Sequence, residues 1–98
     1  MLDKENPEYN NVPDHIKQAM IDYYLYNQPV GHFLTAVLKN DLKGALGRAD
    51  AHNRRNLFSI VKFAYNELPA TCWGDEETVD NWEGAPENIV ENYRKKLE

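Results

Sequence analysis

The 98-residue chain is 42% hydrophobic and 11% aromatic, enough apolar material for one domain with one core and too much for a disordered segment. Its apolar residues never approach the roughly 20 in succession that a membrane-spanning helix needs, and its opening Met1-Leu2-Asp3-Lys4-Glu5 lacks a secretory pattern, so a cytoplasmic location without a membrane partner is expected. A net charge of −5 weighs against a protein that coats a nucleic acid polymer, and the single cysteine, Cys72, excludes an intrachain disulfide and a four-cysteine zinc site.

Residues 1–12 are polar, with Asn10 and Asn11 as turn formers and no helical period, and are expected to form a flexible arm whose one aromatic residue is Tyr9. From Pro13 the pattern becomes helical: proline suits a first turn, Asp14 favours a helix N-terminus, and Ile16, Met20, Tyr23 and Tyr24 follow at helical spacing. This helix runs to about Tyr26, where Asn27-Gln28-Pro29 stops it. A second helix is expected over 32–48, with Leu34, Leu38 and Leu42 recurring every four residues and Phe33, Val37 and Leu46 widening the stripe. Gly44 and Gly47 weaken its end, and a bend or close contact near Gly44 is expected.

Asp50 is a good N-cap for a third helix over 51–68, whose face of Leu57, Ile60, Val61, Ala64 and Leu68 steps by three and four. The link at Ala49-Asp50 is short enough to force an antiparallel hairpin or one kinked helix, and the hairpin is favoured. Pro69 ends that helix. Cys72-Trp73-Gly74-Asp75 makes a tight corner in which Gly74 permits positive φ and Asp75 caps a short helix through Trp82. After Gly84-Ala85-Pro86, Ile89, Val90, Tyr93 and Leu97 mark a terminal amphipathic helix. The expectation is an all-α single domain over 13–98, an antiparallel helical hairpin with an N-terminal helix and short C-terminal helices.

No catalytic pattern emerges. His15, His32 and His52 include no pair at i, i+4, and neither H-E-x-x-H nor C-x-x-C occurs, so no metal and no cofactor are expected. The acidic run Asp75-Glu76-Glu77 is explained by a helix N-terminus, and nothing in the spacing brings Cys72, Ser59 or Thr35 to a histidine. Charge, however, is segregated. Residues 1–27 carry two cations against five carboxylates and residues 67–98 three against nine, whereas residues 28–66 carry six against two. A basic centre in an acidic chain can focus a small anion on one surface.

The candidates for such a site follow from chemistry. Arg48, Arg54, Arg55 and Lys62 compete to hold phosphate, against the simpler reading of a solvated outer face. Gly31 and His32 open the second helix, where free backbone N–H groups suit an anion. Tyr9, Tyr24 or Tyr26 could stack on a base, although six tyrosines in so short a chain are explained as simply by self-association.

Read in order, Gly31-His32-Phe33-Leu34-Thr35-Ala36-Val37-Leu38-Lys39-Asn40-Asp41-Leu42, then Arg48-Ala49-Asp50, then Ile60 to Pro69 and Cys72-Trp73-Gly74, resemble the helical hairpin domain of small phage anti-defence proteins acting against CBASS and Thoeris immunity. The resemblance covers about residues 13–83. It implies a non-enzymatic sponge, a homo-oligomer (a hexamer in that family), which binds cyclic di- or trinucleotide second messengers and withholds them from bacterial effectors. The resemblance assigns no individual ligand contact in this chain. The alternative from another class is a small helical adaptor that binds a host protein, which the acidic ends favour.

Overall fold

In a computed structural model that describes residues 2–97, every regular element is helical. Seven α-helices follow one another: α1 (Asp14–Tyr26), α2 (His32–Leu38), α3 (Leu42–Arg48), α4 (Ala51–Arg55), α5 (Leu57–Glu67), α6 (Glu76–Asp80) and α7 (Glu87–Leu97). Short 3-10 turns lie at Pro7–Tyr9 and Ala70–Cys72. The Cα radius of gyration of 12.9 Å matches the ~13 Å of a compact chain this long, so the short helices form one body.

α1 is the spine. Pro13 opens it, and Asn27 closes it in the left-handed conformation (φ 53°) with its N–H donating to the Tyr23 carbonyl at 2.9 Å. Met20 and Ile21 on α1 and Ile60 and Phe63 on α5 are wholly buried, and Leu34 and Leu38 from α2 join them. Each such side chain contributes roughly 1.5–3 kcal/mol by leaving water.

The two rods expected for the hairpin are each broken once. α2 stops at Leu38 in a Schellman motif: left-handed Asn40 (φ 63°) donates to the Val37 carbonyl, and the Asp41 N–H reaches back to Ala36 at 2.8 Å. Asp41 then caps α3 by accepting from the Gly44 N–H at 3.0 Å. The chain turns there, so Leu42 and Leu46 leave the stripe begun by Leu34 and Leu38 and stand 67% and 46% exposed. The second break is at Asn56, whose side-chain amide donates to the His52 carbonyl. Asp50 and Asp75 cap α4 and α6 as expected, each accepting at 2.7 Å, and the Thr78 N–H holds the Asp75 carboxyl below the usual carboxylate range.

The Asp41 cap makes the two α3 glycines unequal. A Cβ on Gly44 would collide with the Asp41 carboxylate, whereas one on Gly47 meets nothing within 4 Å. Gly47→Ala is therefore expected to raise stability by about 0.5–1 kcal/mol. Gly44→Ala should show little net gain, because displacing the cap costs about 1 kcal/mol. Chemical denaturation of the two variants side by side checks this.

Residues 2–12 are not a free arm. Tyr9 and Val12 are 1% and 2% exposed, and the Tyr9 ring meets Phe63 edge-on at 5.0 Å. Its hydroxyl donates to buried Glu67 at 2.6 Å, the Asp3 N–H donates to the same carboxylate, and the Leu2 N–H donates to the Glu67 carbonyl. Residues 3–8 stay at the surface, with Lys4 and Asn6 half-buried, while Tyr9 and Val12 enter the core. At the other end, the Trp82 indole N–H spans the Tyr23 and Tyr24 carbonyls at 3.1 Å each, and the Trp73 indole caps Leu68 at 2.9 Å, so both tryptophans satisfy carbonyls at helix ends. Gly84 (φ 107°) comes close to the Leu25 carbonyl, which accepts from the Ala85 N–H.

Burial leaves a pH signature. It pushes the Tyr9 phenol up to about 12, with Glu67 adding to the effect, and raises Tyr23 and Tyr24 as well. The Cys72 thiol is likewise raised by burial, from 9.0 to about 12. Above these ordinary values the unfolded chain has released protons that the folded chain still holds, so stability falls as pH rises from about 9 toward 12. Melting temperature should drop across that window, and three of the six tyrosines should develop tyrosinate absorbance only as the fold is lost.

Candidate functional site

The basic centre of the sequence becomes the corner between α3 and α4. Arg48 ends α3, Ala49 and Asp50 make the turn, and Arg54 and Arg55 end α4. Arg48, Arg54 and Arg55 are exposed, as is Lys43 on α3, and none of the four forms an ion pair with a described residue. Arg54 makes one long hydrogen bond to the Ala49 carbonyl, at 3.4 Å, which fixes it beside the turn. Asp50 spends its carboxylate on the Asn53 N–H. The one acid at the corner is thus a cap, and the guanidinium groups face solvent.

A cleft of about 240 Å³ adjoins this corner, lined by His32, Thr35, Lys39, Asp41, Arg48 and Glu76. It brings together Arg48 and His32, which lie 16 positions apart in sequence. Lys39, which sequence reasoning did not single out, belongs to the cleft but is engaged: its ammonium lies 3.1 Å from Asp80 and 3.6 Å from Glu76, and the hydrogen bond to Asp80 raises its pKa. An incoming anion would find Arg48 available and would have to compete for Lys39. Gly31 is the N-cap of α2, but that helix has only seven residues, so its dipole adds little.

Three expected contacts change character. Tyr9 is inside the core, as described, because its ring and hydroxyl both find partners there. Tyr24 is 5% exposed and already stacked, at 5.7 Å and 16°, on Trp82, so it has no face for a base. Lys62 lies 3.3 Å from Glu8 and is partly neutralised. Tyr26 remains exposed at the end of α1, with the Arg94 guanidinium 5.6 Å above its ring. Arg54 and Arg55 do not line the cleft that holds His32 and Arg48; they end the next helix.

The most exposed aromatic rings lie outside the expected set. Phe58 is 80% exposed and Tyr65 70% exposed, both on α5, the latter tilted against Trp73 at 5.7 Å. Phe58 sits one residue outside the Leu57, Ile60, Val61, Ala64 and Leu68 stripe, and that offset was the available signal. Cys72 is fully buried with its thiol donating to the Pro69 carbonyl, so no thiolate is presented near neutral pH. Among the described residues no three His, Cys, Asp or Glu side chains are placed to hold a metal ion, and no helix is long and apolar enough to cross a membrane. Compared with protein-family models, curated proteins and solved structures, the chain matches none.

Proposed function

We propose that the chain is a non-enzymatic phage anti-defence sponge, a self-associating protein that binds cyclic di- or trinucleotide immune signals and withholds them from CBASS or Thoeris effectors in the bacterial cytoplasm. The observation that carries this reading is the set of four exposed cations, Lys43, Arg48, Arg54 and Arg55, that form no ion pair among the described residues of a chain of net charge −5. Guanidinium groups are the side chains best suited to phosphate, which they grip through paired N–H donors. A cyclic oligonucleotide offers two or three phosphates for such a surface. Enclosure, which a shallow cleft on one small chain does not provide, would come from neighbouring copies.

Calorimetric titration with a panel of cyclic di- and trinucleotides tests the reading. Micromolar or tighter binding of at least one member, with the nucleotide recovered unaltered after denaturation, is expected. Silence across the panel would overturn the sponge, and recovery of a cleaved nucleotide would replace it with an enzyme. The adaptor reading draws on the exposed Phe58 and Tyr65 instead. It predicts a host protein retained equally well after charge reversal at Arg54 and Arg55.

A further inference from the structure

The least settled surface of the molecule lies on α3 and α5. Phe58, Val61 and Tyr65 form a stripe at i, i+3 and i+7 along α5 and are 80%, 42% and 70% exposed, while Leu42 and Leu46, one turn apart on α3, are 67% and 46% exposed. Side chains of this size at these exposures present on the order of 500–600 Å² of apolar surface, the upper end for a monomer and most of the ~800 Å² that one side of a stable interface buries. The face also has relief. A cleft of about 140 Å³ between Leu42, Ala45, Leu57 and Val61 lies on one side of Val61, and another of about 100 Å³ between Val37, Val61, Tyr65 and Trp73 on the other.

We infer that this face is covered by a second copy of the chain, the two α5 helices crossing antiparallel about a two-fold axis at Val61. This names the partner surface for the self-association proposed above but rests on separate observations. A two-fold contact needs one patch that both projects and receives. Here the projecting rings of Phe58 and Tyr65 are nearly equidistant in sequence from Val61, which lines both clefts, and Tyr65 lines the second of them. Turning one copy end for end sets Phe58 of one against Tyr65 of the partner subunit.

Charge selects the same arrangement. Arg54 and Arg55, which form no ion pair among the described residues, stand just before the N-terminus of α5. Beyond its C-terminus, Trp73 packs on Tyr65 and leads into exposed Asp75 and Glu77, Glu76 being paired with Lys39. The patch is therefore basic at one end and acidic at the other, and only the antiparallel pairing sets unlike ends together. A parallel pairing would oppose arginine to arginine.

Sedimentation velocity on the full chain tests this. The wild type is expected to sediment at an even multiple of its 11.4 kDa mass. Phe58→Asp and Tyr65→Asp, separately, should each return the single-chain mass with an unchanged far-UV spectrum, because both side chains are exposed. Leu97→Asp, equally exposed but on α7, should leave the assembly intact. A monomeric wild type would overturn the inference and leave the face to a foreign protein, and an assembly that survives both α5 substitutions would place the interface elsewhere. Nucleotide affinity is not the readout, so silence in the titration above would leave this result standing.

Discussion

Phe63→Ala is expected to destabilise the fold by about 3–5 kcal/mol, a large fraction of the ~5–15 kcal/mol that holds a domain together. Phe63 has no exposed surface, and its ring is the wall against which Tyr9 packs at 82° and 5.0 Å. Truncation loses the transfer energy of the ring and leaves a cavity that helix α5 cannot close by itself. It also slackens the seat of Tyr9, whose hydroxyl is the donor to Glu67. Tyr9→Phe isolates that second effect: it keeps the ring but removes one donor from a buried carboxylate, at about 1–3 kcal/mol. Leu97→Ala, 71% exposed on α7 and outside the face assigned to a second copy, should change stability by no more than about 0.5 kcal/mol. Urea unfolding should show the midpoint falling in the order Leu97→Ala, Tyr9→Phe, Phe63→Ala. A mild effect at Phe63 would mean that the N-terminal segment does not pack on α5.

What the sequence made legible, and what it hid, divide along the range of the forces involved. Local signals read true. Pro13 and Asn27 bound α1, Asp50 and Asp75 cap their helices, Gly74 takes a positive φ, and both tryptophans fold back on the body. Periodicity misled where a helix changed direction without changing its pattern. Leu34, Leu38, Leu42 and Leu46 keep a four-residue step across Asn40-Asp41, yet the first pair is buried and the second exposed. Asn40 and Asp41 were the clue, since asparagine tolerates the left-handed turn and aspartate starts a new helix.

Tyr9 failed for a different reason. Nothing local marks it, and its burial depends on Phe63 and Glu67, more than 50 positions away. The candidate site was legible as composition but not as geometry. Excess cations over 28–66 could be counted, whereas only the fold separates engaged Lys39 and Lys62 from Arg48, Arg54 and Arg55, which form no ion pair among the described residues. The segments that carry the family resemblance also acquire a physical reading. Asn40-Asp41 forms the α2–α3 turn, Ala49-Asp50 the α3–α4 turn, and the Gly74 N–H bonds the Leu38 carbonyl at 2.8 Å. They build corners, so a likeness in them speaks for the frame and leaves ligand contacts to the cations around it.

If the corner cations hold phosphate, Arg54→Glu combined with Arg55→Glu should weaken cyclic nucleotide binding by at least about 100-fold. Each guanidinium–phosphate contact is a charge-assisted hydrogen bond worth about 1.5–3 kcal/mol, so losing two removes ~3 kcal/mol or more before the new repulsion is counted. Stability should barely change, since both side chains are exposed and neither has an ion-pair partner among the described residues to lose. Lys62→Glu breaks only a surface pair with Glu8 and should cost far less affinity. Lys39→Ala is the sharper comparison. That ammonium is already neutralised by Asp80 and Glu76, so its loss should reduce binding by no more than a few fold, whereas Arg48→Ala, in the same cleft and with no ion pair among the described residues, should cost about tenfold or more. Because Arg54 and Arg55 also border the face assigned to a second copy, the mass of each variant must be measured beside its affinity. A double variant that keeps its assembly and loses its ligand locates the phosphate site at the corner. Equal losses at Lys39, Lys62 and the arginines would instead mark a diffuse attraction between a basic surface and any anion, with no built site.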